Sequence, residues 1–236
     1  MATDYNPSIV TDNLVLCLDA ANIKSYPGSG TTWTDISDKG NNGTLANGAA
    51  FDSGNKGSIN LDGTNDAITV SYSESLECGS ALISCEAWVY FDALDDGFPV
   101  IVKRGNGSSN NDRPYTLGLH QGGYMRWILT DNGSGITVCD TDVIFTHGRW
   151  YHVVGTHDKS HSRIYLNGIK VKKVSSSLTE LETSNFNTPT RIGWRHTNSG
   201  VIYGNGKVAS ARIYSKALTA TEVLQNYNSY KGRFGL

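Results

Sequence analysis

The chain reads as an all-β protein: a two-sheet antiparallel sandwich with a short helix near its carboxyl end. Three observations carry this. Apolar and polar residues alternate at period two through most of the sequence, the pattern of strands with one face buried. Glycine, serine, threonine and asparagine make up about two-fifths of the 236 residues, the material of tight polar turns. Helical spacing occurs convincingly in one place only, close to the end. The length suits a single domain, and a chain of this size buries roughly 70% of its unfolded surface, so neither disulfides nor a metal are needed merely to fold.

Taken in order, residues 1–13 are polar and read as an amino-terminal arm, with 14–236 as one domain. Leu14-Val15-Leu16-Cys17-Leu18 is an apolar run that suits a strand buried on both faces. Residues 19–55 hold many glycines and asparagines but few large apolar residues, and read as an ordered excursion pinned by Trp33. Ile59 and Leu61, then Ile68, Val70 and Tyr72, alternate around Asp62-Gly63-Thr64-Asn65, which predicts a hairpin. Residues 83–91 are the clearest strand, and others follow at 100–102, 115–119, 125–130, 136–138, 150–156 and 163–166. Asn167-Gly168 links 163–166 to 169–171 as a type I′ turn. Residues 191–194 and 207–214 bring the total to roughly a dozen strands. Thr219-Ala220-Thr221-Glu222 is a capping box, with Val223, Leu224 and Tyr227 behind it at helical spacing.

Composition excludes several functions. Charged residues are 18% of the chain, 22 acidic against 20 basic, too few and too balanced for a nucleic-acid binder. No apolar run approaches the roughly 18 residues of a membrane span. The amino end has no basic region, apolar core or small-residue cleavage site, so no secretory signal is expected and synthesis in the cytoplasm is. Cys17, Cys78, Cys85 and Cys139 lack metal-type pairing; they read as four buried thiols, with Cys78 to Cys85 as the best disulfide alternative.

In the second half stand Gly148-Arg149-Trp150-Tyr151-His152-Val153-Val154, Arg163-Ile164-Tyr165-Leu166-Asn167-Gly168, Arg191-Ile192-Gly193, and Gly206-Lys207-Val208 through Arg212-Ile213-Tyr214-Ser215-Lys216-Ala217-Leu218-Thr219. In order and spacing these motifs resemble those of the concanavalin A-like, laminin-G-like jelly-roll superfamily. Leu61 to Asp66 and Glu86-Ala87-Trp88-Val89 extend the likeness over about residues 14–230. Nearer the start, Leu18-Asp19-Ala20, Tyr26-Pro27-Gly28-Ser29-Gly30-Thr31-Thr32-Trp33 and Gly40-Asn41-Asn42-Gly43-Thr44-Leu45 resemble laminin-G-like proteins of tailed bacteriophages. This second likeness implies a structural or adhesive virion component.

Hydrolases on this fold line up acids on one strand, and this chain has no such run; Glu180-Leu181-Glu182 lies in a polar connection, and Glu86 stands alone. No catalytic residue is therefore assigned, and His152 reads as a packed histidine. The resemblance also implies that a calcium ion could sit at a sandwich rim, with Asp62 and Asp66 as candidates and Asp131-Asn132 or Asp35 and Asp38 as further options, against the plainer reading of turn-forming side chains. No cofactor is required. Sugar binding needs an exposed aromatic and polar side chains that fix hydroxyls. The candidates are Tyr124, Arg126 and Trp127 on one strand, with Asn111, Asp112 and Arg113 before the preceding strand, and Trp194-Arg195-His196 at a strand end running into a polar loop. Alternation sets Trp127 and Arg126 on opposite faces, so one of the two points inward. The expectation is a non-enzymatic virion surface protein, a capsid decoration or tail-fibre module with weak glycan recognition. A carbohydrate-binding lectin comes second and a glycoside hydrolase a distant third. Its partners would be other virion proteins, further copies of itself and a host-surface glycan, with no nucleic acid and no membrane insertion.

Overall fold

A computed structural model describes residues 8–94, 97–104, 113–131, 135–182, 187–197 and 199–236. The strands in chain order are β1 (Leu14–Asp19), β2 (Thr32–Trp33), β3 (Gly43–Ala46), β4 (Ala50–Asp52), β5 (Ser58–Asp62), β6 (Ala67–Val70), β7 (Leu82–Phe91), β8 (Phe98–Lys103) and β9 (Tyr115–His120). There follow β10 (Tyr124–Thr130), β11 (Ile136–Ile144), β12 (Trp150–Asp158), β13 (His161–Leu166), β14 (Ile169–Ser175), β15 (Thr190–Ile192), β16 (Trp194–Thr197), β17 (Gly200–Tyr203) and β18 (Asn205–Tyr214), then helix α1 (Ala220–Tyr230). A back sheet runs β14-β13-β12-β7-β18-β5-β4, with β1 sharing the free edge of β18 beside β5. A front sheet runs β11-β10-β9-β8-β15-β6-β3-β2, and β16 and β17 form a separate hairpin. The result is a two-sheet antiparallel sandwich.

Alternation along the strands builds the core. On β7, Ile83, Cys85, Ala87, Val89 and Phe91 point between the sheets, and on β10 so do Met125, Trp127 and Leu129. The other face of β7 carries Glu86 and Trp88, yet both are fully buried, because α1 and the carboxyl tail cover the back sheet. Thr219 caps α1 in the reciprocal arrangement with Glu222 that the sequence anticipates. Asn167 and Gly168 have φ of 50° and 80°, both in the left-handed region a type I′ turn requires.

The 19–55 excursion is ordered, and its anchor is as expected: Trp33 has no exposed surface. Asp35 fixes it further, accepting the backbone N–H groups of Cys17, Ser37 and Asn41 at 2.8, 2.9 and 2.9 Å. All four cysteines are buried free thiols. No described helix is long and apolar enough to cross a membrane.

Two expectations about strands change. Residues 58–62 and 67–70 are not a hairpin: β5 pairs with β18 and β4 in the back sheet, and β6 with β3 and β15 in the front one. The turn at 62–65 is closed by side chains instead of a ladder. Asp66 accepts the Asp62 N–H at 2.9 Å and Asp62 that of Thr64 at 2.8 Å, which lets the chain cross between sheets with both apolar faces inward. Residues 191–194 do not form one strand either. Gly193, at φ 79°, turns the chain out of the front sheet between β15 and β16, and a Cβ there would strike the Leu61 side chain.

Candidate functional site

The front sheet turns Pro99, Thr116, Gly118, Arg126 and Ile128 outward from β8, β9 and β10, opposite the core-facing residues of the same strands. Pairing puts Pro99, Gly118, Arg126 and Asp140 in one row across four strands. Gly118 contributes no side chain, so this row has a floor between a proline and an arginine. Because Gly193 turns the chain away, the β16–β17 hairpin rises beside β8, tied by the Gly193 N–H to the Pro99 carbonyl at 2.8 Å. Sheet and hairpin together enclose a cleft of about 310 Å³ that Arg195 and Thr197 wall on the hairpin side. Past Arg195 the cleft continues into a second hollow of about 340 Å³ that reaches Gln121, Ser199 and Ile202.

Four guanidinium groups line the first hollow, those of Arg104, Arg113, Arg126 and Arg195, and no Asp or Glu does among the described residues. Arg126 is clamped by Asp140, with Nε and Nη2 each donating at 2.7 Å to separate carboxylate oxygens. That pairing, set against the cost of burial, raises its pKa. The Tyr124 hydroxyl accepts a further bond from Arg126 at 3.0 Å, and the Tyr124 ring stacks on His120 at 4.9 Å. Burial, then the charges of Arg104, Arg195 and Arg126, push Arg113 down to about 10. Burial and the neighbouring Arg104 and Arg126 likewise lower Arg195.

Of the residues anticipated as glycan contacts, the fold brings Arg113 and Arg126 together in the cleft, with Tyr124 bracing Arg126 at its edge. Trp127 is corrected: it is fully buried between the sheets and has no face to offer a sugar. Trp194 is half-buried and holds the hairpin down. Its Nε1 donates to the Ile68 carbonyl at 3.1 Å and its ring covers the Arg191 guanidinium at 5.0 Å. Asn111 and Asp112 lie outside the described residues. Arg195 was anticipated with Trp194 and His196 as a second candidate group, and the fold brings it into the cleft. Arg104 and His120 were not anticipated, since no motif marks either in the sequence.

Among the described residues the acids assemble neither a catalytic pair nor a cluster that could hold a metal ion. Glu182 is buried, Glu180 is exposed, and neither lines the cleft. Glu86 lies under α1, where Arg212 Nη1 donates to it at 2.5 Å and Asn226 Nδ2 at 2.6 Å. His152 is packed on Trp88, with ring centroids 5.1 Å apart, and is a core residue as expected. For calcium the donor set does not fit. Asp66 has one buried oxygen without a hydrogen bond, but Asp62 gives its Oδ1 to turn amides, and no group of three or more His, Cys, Asp or Glu is assembled among the described residues. Asp35 and Asp131 are similarly taken up by backbone amides, and Asn132 lies outside the described residues.

A family model described as the concanavalin A-like lectin/glucanases superfamily matches residues 62–224. Among solved structures, the binding domain of Paraclostridial Mosquitocidal Protein 1 superposes with a TM-score of 0.71 at 20% identity, over 93% of this chain and 53% of that one. Domain 4 of AbnA, an extracellular arabinanase from Geobacillus stearothermophilus solved with arabinotriose, gives 0.69 at 18% identity, over 91% and 98%. The binding domain of Botulinum Neurotoxin DC in complex with SialylT gives 0.66 at 15%, over 93% and 52%. The chain thus spans about half of the two toxin chains and nearly all of the arabinanase domain. No curated protein matches in sequence.

Proposed function

Since the chain belongs to the concanavalin A-like lectin/glucanases superfamily, we propose that it is a non-enzymatic carbohydrate-binding module whose site is the arginine-lined cleft between the front sheet and the β16–β17 hairpin. The observation that carries this is the composition of the cleft. It is concave, in the size range of ligand pockets, and lined by guanidinium, hydroxyl and imidazole groups beside the apolar Ile128 and Leu119. Such a lining can hold sugar hydroxyls and the carbon face of a ring together. Glycoside hydrolysis needs two carboxyl groups flanking the bond, and no acid lines this cleft among the described residues, which supports binding without turnover. The similar structures point the same way: two are binding domains and one is an arabinanase module solved with arabinotriose. This moves sugar capture ahead of simple display. The motifs at 18–45 support a setting on a phage particle, where the partners would be other virion proteins, further copies of this chain and a host-surface glycan.

A glycan array, followed by titration of each hit, tests the reading. Wild-type protein binds at least one oligosaccharide, Tyr124→Ala weakens that binding about tenfold, and no reducing sugar is released. Release of reducing sugar overturns the non-enzymatic part; an array without hits overturns the whole. Sedimentation with purified particles tests the virion setting separately.

A further inference from the structure

We propose that the cleft selects an acidic glycan, with the Arg195 guanidinium as the anchor for a sugar carboxylate; this rests on the carbohydrate-binding reading above. The four guanidinium groups come from separate segments, at the end of β8, before β9, on β10 and on β16, and converge on one hollow. Their concentration is local, because the whole chain carries a net charge of −2. Three of the four are already held. Asp140 neutralises Arg126 through both carboxylate oxygens, and Arg104 and Arg113 have partners of their own within the fold. Arg195 makes no ion pair and no side-chain hydrogen bond among the described residues, and it stands where the two hollows meet.

A half-buried guanidinium beside three others is unfavourable twice over: burial, first, and then the neighbouring guanidinium charges both act against the charged form of Arg195 and Arg113. A neutral sugar would leave that repulsion in place. A carboxylate removes it and matches the planar fork of the guanidinium with two parallel hydrogen bonds. Thr116 and Thr197 line the same hollow, and Ile128 gives it an apolar wall for ring carbons. The second hollow, on the other side of Arg195, gives the next sugar of a chain a place to lie.

The test is calorimetric titration with two matched pairs, sialyllactose against lactose and an oligogalacturonate against its methyl ester, which separate a sialic acid from a uronic acid as the source of the carboxylate. One acidic probe binds about tenfold or more tightly than its neutral counterpart, and its affinity falls as salt rises from about 50 to about 500 mM. Arg195→Gln brings the acidic probe close to the neutral one, while Arg195→Lys keeps the salt dependence with reduced affinity. Equal binding of acidic and neutral probes overturns the acidic selectivity and leaves the carbohydrate reading standing. Binding of a sulfated oligosaccharide above both carboxylated probes overturns the carboxylate assignment. No binding by any probe, neutral ones and the array included, overturns both. Should Arg195→Gln fail to fold, the wild-type pairs and their salt dependence decide alone.

Discussion

Gly155 on β12 lies against the face of the Trp127 indole: a Cβ there would come within 2.6 Å of Cδ2 and 2.9 Å of Cε3. The smallest residue on the back sheet therefore makes room for one of the largest on the front sheet, and the two lock the sheets at that spacing. This fixes which of two neighbours on β10 faces inward, a choice that alternation leaves open, since Trp127 and Arg126 are both large enough to fill either side. Asp140 opposite Arg126 settles it, because a clamped ion pair is comfortable at the surface and costly in the core. Gly155→Ala should then lower stability by about 1–3 kcal/mol through overpacking, and Trp127→Ala by about 3–5 kcal/mol through the cavity left. Denaturant titration measures both. A Trp127→Ala protein with an unchanged midpoint and abolished sugar binding would return this residue to the site.

At the scale of elements, α1 and the tail after it act as a lid on the back sheet, and under it lies an ion pair. Burial on its own would raise the Glu86 pKa, but the Arg212 charge, with His152 and Asn226 beyond it, holds the carboxyl at about 2, below its ordinary 4.5. A depressed pKa stabilises the fold above the unfolded value, and that contribution is lost as pH falls from about 4.5 toward 2. Wild-type stability should decline across this window. Glu86→Gln should flatten the decline and cost about 3–5 kcal/mol at neutral pH, since it leaves the Arg212 charge buried without its partner. Thr219→Ala should remove the capping box for about 1 kcal/mol at neutral pH while keeping the decline that Glu86 causes. A pH–stability curve for each variant separates these outcomes. The helix, its cap and the long strands were legible in the sequence, because each is specified by residues a few positions apart. Sheet membership of 58–62 and 67–70 was not, since both strands show the same alternation whether they pair with one another or with distant partners. The cleft was still less legible: residues 104, 113, 126 and 195 meet only through the folding of β16 and β17 away from the front sheet, and that depends on one left-handed glycine.

For the whole molecule, the question is what the sandwich needs beyond its own core. Burial pushes the thiols of Cys78 and Cys139 up to about 12 and raises those of Cys17 and Cys85, so all four are poor nucleophiles at neutral pH. A thiol reagent should label none of them in the native protein and all four after unfolding, and reductant should leave the thermal midpoint where it is. Calcium poses the same question. An ion bound only by the folded state, present at about a hundred times its Kd, would add about 2.7 kcal/mol. In a domain of this size each kcal/mol moves the midpoint by about 2–4 °C. The expected result is no shift between added calcium and chelator at constant ionic strength, because Asp62 and Asp66 serve the crossing between the sheets and no third acid joins them among the described residues. A midpoint that climbs with calcium by more than about 2 °C, and stops doing so in Asp62→Asn, would establish a site at that turn instead.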